Sequence, residues 1–151
     1  MDNRINETFK KLSSQGSSAF VAYLCAGDPN FEKSLAAMTA LDGAGADIIE
    51  VGIPFSDPLA DGIVNQMTAA RALNAGMDTH RTLELVKKFR SSSSTPIVIF
   101  TYLNPIYNYG FEKFHHDASS SGVDGILILD LPPDEQVLNE ELCKSEGLLA
   151  I

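Results

Sequence analysis

Five short apolar runs rich in β-branched residues punctuate the chain and leave few folds open to it: residues 20–24 (FVAYL), 48–51 (IIEV), 97–102 (IVIFTY), 126–129 (ILIL) and 148–151 (LLAI). Most are apolar at consecutive positions, so both faces of each strand need cover. Parallel strands flanked by helices have that requirement; a half-solvated antiparallel strand alternates polar and apolar residues instead. Helical patterns fill the intervals. Phe31, Leu35, Met38 and Leu41 recur at three- and four-residue spacing as one buried stripe, with Asp28 read as the cap and Pro29 as the first-turn proline. Residues 82–89 carry Leu85, Val86 and Phe89 on one side, and the serine-rich stretch 91–94 ends that helix. Phe111, Phe114 and Ala118 form another stripe. Asp134 is read as the cap of a last helix bearing Val137, Leu138 and Leu142, closed by Gly147. A helix with Ile5, Phe9 and Leu12 precedes the first strand.

The order is α, then βα four times, then β, with strands starting at 20, 48, 97, 126 and 148. The long interval after 48 holds an inserted loop and an extra helix around 65–75. Alternating units imply a parallel sheet. Two architectures compete, an open doubly wound sheet and a (β/α)8 barrel. A barrel takes roughly 250 residues for eight units, so 151 residues hold about five. The expected fold is therefore α/β: a partial (β/α)8 barrel with parallel strands 1–5 and an extra N-terminal helix, residues 1–151 forming one incomplete domain. The sequences AGAD (44–47) and SGVD (121–124) are read as the same helix-to-strand junction, repeated with the unit.

Composition narrows the partners. Hydrophobic residues make up 44% and charged residues 21%, enough for a sizeable core. The net charge of −9 disfavours nucleic acid and anionic membrane, which need clustered Lys and Arg. The N-terminus, MDNRINETFKKL, lacks an apolar leader core, and no apolar stretch is long enough to span a bilayer. The expected setting is cytoplasmic. Cys25 and Cys143 stand alone, without the spacing of a disulfide framework or a zinc site. No GxGxxG or GxxxxGK[ST] stretch marks a nucleotide site. His80, His115 and His116 lack ligand partners in sequence and are read as surface residues.

The densest chemical signal is residues 50–62 (EVGIPFSDPLADG). Glu50 interrupts an apolar strand near its C-terminal end, where barrels and open α/β sheets place reacting groups. A carboxylate there is partly desolvated, which raises its pKa toward that of a working general acid or base. A proline-braced loop follows with Ser56, Asp57 and Asp61, and it can fold back so that Asp61 faces Glu50. The plainer alternative stays open: Glu50 as a cross-strand ion-pair partner, Asp61 as the cap of the next helix. Tyr102 and Asn104 are placed at the end of the third strand as a polar pair. Asp130, before Leu131 and Pro132, is either functional by position or a turn former.

These residues carry a resemblance. Residues 20–29 (FVAYLCAGDP) resemble the first-strand motif of the tryptophan synthase α subunit family, and residues 50–62 are similar to its signature almost position for position. Residues 102–105 (YLNP) and 130–132 (DLP) match further family stretches. The resemblance runs the length of the chain and implies a lyase of tryptophan biosynthesis. Such a lyase performs retro-aldol cleavage of indole-3-glycerol phosphate to indole and glyceraldehyde 3-phosphate, with no cofactor and no metal. By that resemblance Glu50 is the acid/base and Asp61 the carboxylate that pairs with the indole N–H. Tyr23, Phe100, Tyr102, Leu127 and Leu129 line the indole pocket. Asp57, Pro58, Asn104, Asn108 and Pro132 face the tryptophan synthase β subunit, which carries pyridoxal phosphate itself.

The chain also departs from the family pattern. Ala22 stands where the family usually has Pro, Cys25 where it has Thr, and Ile63, Val64 and Asn65 replace Pro-Thr-Ile, while Gln66 is kept. Changes beside a catalytic group matter, because a 1 Å misplacement costs on the order of 10²-fold in rate. Barrel phosphate sites come from the loops after strands 7 and 8, so a chain stopping in strand 5 is expected to lack that cradle. Two expectations follow: the retro-aldol enzyme, or a truncated, non-catalytic remnant that at most binds the β subunit.

Overall fold

A computed structural model describes residues 3–151. In chain order the elements are α1 (Arg4–Ser14), β1 (Val21–Cys25), α2 (Phe31–Gly43), β2 (Ile48–Gly52), α3 (Ile63–Asn74), α4 (Thr79–Arg90), β3 (Ile97–Thr101), α5 (Leu103–Tyr109), α6 (Phe111–Ser121), β4 (Gly125–Ile128), α7 (Pro133–Ser145) and β5 (Leu149–Ala150). The strands form one parallel sheet in the order β1-β2-β3-β4-β5. That order decides between the two architectures. A doubly wound sheet reverses its strand order at a switch point; here it never reverses. Right-handed crossovers in one direction put the helices that connect the strands on the same face. The other face is then the inner wall of a barrel.

Strand register separates the two faces. Ile49, Val51, Ile97, Ile99 and Ile126 point toward the helices and pack with Met38, Leu85, Val86, Phe89 and Phe114, all essentially without exposure. Each such aliphatic side chain contributes about 1.5–3 kcal/mol on burial. The inner face carries Tyr23, Glu50, Val98, Gly125 and Leu149 in one layer, and Cys25, Gly52, Phe100 and Leu127 in the layer above. At the N-terminal end of the strands, Ile5 from α1 packs on Ile48 and Val98, with Leu127 and Leu149 beside them. Helix α1 is thus the floor of the inner face.

The repeated junction has a physical role. Asp47 Oδ2 accepts from the backbone N–H of Phe20 at 2.8 Å, and Asp124 Oδ2 accepts from that of Ile97 at 2.8 Å. Each Asp precedes its own strand and secures the start of the strand before it. Asp124 is also buried against two guanidiniums, Arg4 at 2.8 Å and Arg90 at 3.1 Å.

Several local expectations are corrected. Helix α2 is capped by Asn30, whose side chain accepts from Lys33 N at 3.0 Å; Asp28 instead forms a two-pronged ion pair with Arg71 at 2.7 and 2.9 Å. The third strand ends at Thr101, Tyr102 begins the short α5, and Asn104 lies on that helix. Pro132, not Asp134, is the N-cap residue of α7. On α7, Val137 and Leu138 are exposed and the buried side chains are Asn139 and Cys143. His115 is fully buried between Phe111 O at 2.8 Å and Asn139 Oδ1 at 2.9 Å, whereas His80 and His116 are exposed as expected. On α1 only Ile5 is fully buried, and Phe9 is exposed.

Candidate active site

Glu50 is the third residue of β2, between Tyr23 and Val98 in the inner-face register. It is half-buried, and burial pushes its carboxyl above the ordinary Glu range. Desolvation disfavours the charged form, and the open sheet supplies no cation to offset it.

The space above Glu50 is shaped by aromatic rings. Tyr23 meets Phe100 edge-on, with ring centres 5.4 Å apart at 73°. The Tyr23 ring lies across Gly52, where a Cβ would come within 2.4 Å of its hydroxyl oxygen. Glycine at 52 therefore makes room for Tyr23, a pairing of β1 with β2 that neither sequence run reveals alone. Leu127 pairs with Phe100 in register and is half-buried; Leu129, just past the end of β4, is more exposed.

Asp61 comes from the loop between β2 and α3. Burial raises its pKa, and the nearby Tyr102 hydroxyl pulls it back. Tyr102 is buried under that loop, its ring 5.4 Å from Phe55 and its hydroxyl oxygen accepting from Ala60 N at 2.9 Å. The Tyr23 phenol is pushed up first by burial and then by the neighbouring Cys25, Asp61 and Glu50. Glu50 sits beside Tyr23 in the strand register, and Tyr102, which holds the Asp61 loop through Ala60 N, lies just past the end of β3, so both acids lie toward the C-terminal side of the sheet. Such an arrangement can offer two carboxyl groups of raised pKa beside an apolar ring wall.

The remaining expected residues lie on the rim. Asp57 and Pro58 are on the Asp61 loop, Asp57 exposed and Pro58 half-buried. Asn104 and Asn108 sit one turn apart on α5, with Asn108 Nδ2 donating to Asn104 Oδ1 at 2.8 Å. Both border a groove of about 400 Å³ beside Phe55 and Ser56, and Pro58 borders another of about 350 Å³ on the far side of those residues. Pro132 is exposed at the start of α7, outside both grooves. Asp130 is a structural residue: its Oδ1 accepts from Leu103 N at 2.7 Å and secures the start of α5. A cavity of about 640 Å³ between α4 and α6 is lined by residues such as Glu84, Lys87 and Lys88, away from Glu50 and Asp61. Among the described residues no three His, Cys, Asp or Glu side chains gather to hold a metal, and no helix is long and apolar enough to cross a membrane. Sequence reasoning passed over Phe55, Gly52 and the contact of Gln66 with the Asp61 loop, because each acts through a partner distant in sequence or across a turn.

Parallel strands in unbroken order, with helices covering one face, define part of the wall of a (β/α)8-type barrel. The family model for the tryptophan synthase alpha chain matches residues 9–151, and the chain belongs to that family. A curated tryptophan synthase alpha chain from Opitutus terrae is 45% identical over 149 residues, which are 99% of this chain and 56% of the relative. The crystal structure of tryptophan synthase subunit alpha from Legionella pneumophila superposes with a TM-score of 0.96 at 37% identity, covering 99% of this chain and 58% of that one. A structure of tryptophan synthase from M. tuberculosis in an aminoacrylate-bound form gives a TM-score of 0.92 at 34% identity, covering 99% and 60%. The chain thus spans little more than half the length of these relatives, and its five strands are part of their barrel.

Proposed function

We propose that this chain carries the acid–base wall of a site that cleaves indole-3-glycerol phosphate to indole and glyceraldehyde 3-phosphate. The observation that supports the reading best is the placement of Glu50 beside Tyr23 and Phe100 on the inner face, with Asp61 on the loop that follows the same strand. Glu50, whose carboxyl burial pushes above the ordinary Glu range, donates a proton to the indole ring carbon that bears the side chain. The ring nitrogen then carries positive charge, and Asp61 stabilises its N–H. As the carbon–carbon bond breaks, its electron pair returns to the ring, and the glycerol hydroxyl gives its proton to the Glu50 carboxylate and becomes the aldehyde. The Asp61 anion meets a charge larger in the transition state than in the substrate, which is the interaction that accelerates the step. Tyr23, Phe100, Tyr102, Leu127 and Leu129 flank the indole. The partner is a tryptophan synthase β subunit, which docks over Asp57, Pro58, Asn104, Asn108 and Pro132 on the rim and receives the indole.

The chain contains no Trp, so the fluorescence of added indole is free of protein tryptophan emission. Indole titration of the 151-residue chain is expected to saturate, and Asp61→Ala to weaken it about tenfold, as loss of one charged hydrogen bond does. Indole release from indole-3-glycerol phosphate, assayed in parallel, is expected to vanish in Glu50→Gln while indole binding remains. Equal indole binding by the wild type and Asp61→Ala removes the assignment of Asp61. Turnover that survives Glu50→Gln removes that of Glu50. Binding without turnover in the wild type supports the second expectation, a non-catalytic chain.

A further inference from the structure

The loop that carries Asp61 has little structure of its own. Between Pro54 and Gly62 its internal backbone bonds are Leu59 N to Asp57 O at 3.0 Å and Asp61 N to Pro58 O at 3.1 Å. Leu59 is 85% exposed. Two side chains from outside the loop take hold of it. The Tyr102 hydroxyl accepts from Ala60 N at 2.9 Å, and Gln66, in the second turn of α3, donates from Nε2 to Asp61 O at 2.8 Å. Gln66 borders the same groove as Phe55, Ser56 and Pro58, so the loop is folded over it.

We propose that Gln66 is a positioning residue for the Asp61 carboxylate. With Tyr102 on the peptide before Ala60, the Pro58 carbonyl on the Asp61 amide, and Gln66 on the Asp61 carbonyl, three successive peptide planes are tied. The direction of the Asp61 Cα–Cβ bond is then set, and its carboxylate keeps only its own side-chain rotations. The N-cap residue of α3 is Gly62, which offers no side-chain cap. The Gln66 amide therefore reaches back across the helix start and ties the loop to the first ordered turns beyond it. Those turns are anchored in turn by the Arg71–Asp28 pair. The inference rests on Asp61 being the charge-stabilising group of the proposed site.

Gln66 is exposed, so replacing it leaves the core intact. Gln66→Met keeps the length and helix propensity and removes the donor; Gln66→Lys keeps a donor. Chymotryptic cleavage after Leu59 reports how often the loop opens. Cleavage of Gln66→Met is expected to rise roughly 3- to 10-fold, the effect of one hydrogen bond, and Gln66→Lys to return toward the wild-type rate. Titration of the Asp61 carboxyl followed by NMR is expected to shift in Gln66→Met, and indole to bind more weakly by the same factor, with Tm unchanged. A lowered Tm with an unshifted Asp61 titration would make Gln66 a helix-stabilising residue and overturn the proposal, as would unchanged cleavage. If the wild type fails to bind indole while cleavage and the Asp61 titration still respond, the reading of the site falls and the role of Gln66 stands.

Discussion

Glu50 shows how one partly buried carboxylate costs stability. Its folded pKa lies above the ordinary 4.5 because burial penalises the anion. The folded state therefore binds the proton more tightly than the unfolded state. The linked stability is fully present below the unfolded value and is lost as pH rises through the folded pKa. Gln does not titrate, so Glu50→Gln is expected to raise Tm at neutral pH. That advantage should shrink to nothing near about pH 3, where both states of the wild type are protonated. Thermal unfolding of both proteins across that range checks it; parallel curves at every pH would contradict the burial argument. Glu50 was legible in sequence as the one acid in an apolar run. The Tyr23–Gly52 fit was not, because it depends on register between strands. His115 was misread for the same reason. Its position four residues after Phe111 puts it on the buried stripe, but the Asn139 that accommodates it lies on another helix.

Between elements, that histidine is the polar lock of α6 on α7. Nδ1 faces the Phe111 carbonyl, which only accepts, so Nδ1 carries the hydrogen. Nε2 lies 2.9 Å from Asn139 Oδ1, so both ring nitrogens are partnered inside the core. Asn139→Leu leaves a fully buried ring nitrogen without a partner and is expected to cost about 1–3 kcal/mol. His115→Phe alone strands the Asn139 amide in the same way. The double variant replaces both polar groups and should recover much of the loss. Urea unfolding of the four proteins measures the coupling; additive losses would mean that the two groups do not act as a pair. The lock also explains why α7 faces the way it does. The helical spacing of Val137, Leu138 and Leu142 suggested an inward stripe, yet Asn139 and Cys143 face inward and Val137 and Leu138 face out. Apolar periodicity ranked the faces by hydrophobicity, and a specific hydrogen bond chose the other one. The strands were legible to within one residue or so, because burial on both faces leaves a continuous apolar run. The short α5 was not, since its seven residues contain a proline and too few turns to show a period.

At the scale of the whole molecule, the sheet is an arc with a closed floor and two free rims. The floor is tied down by Asn3, whose Nδ2 donates to Asp124 O at 2.9 Å and Gly147 O at 3.2 Å, and by the Arg4–Asp124 pair. Strands β1 and β5 are each paired on one side only. Beside them Phe20 is 56% exposed, Val21 42% and Ile151 58%. An unpaired parallel edge with apolar neighbours is a template for another chain. A second apolar surface competes with it: Ile63, Val64 and Met67 on α3, with Leu59 nearby, all largely exposed. The edge offers a row of unpaired N–H and C=O groups as well as apolar area, whereas the helix offers area alone. The edge should therefore dominate self-association of the 151-residue chain. Sedimentation velocity over about 5 to 200 µM is expected to show concentration-dependent association. Val21→Lys, which puts a charge on the β1 edge, should suppress it, and Val64→Lys should leave it largely in place. The opposite ranking of the two variants would move the sticky surface to α3, and a monomer throughout the range would mean that the inner wall and its rims are protected by their own curvature.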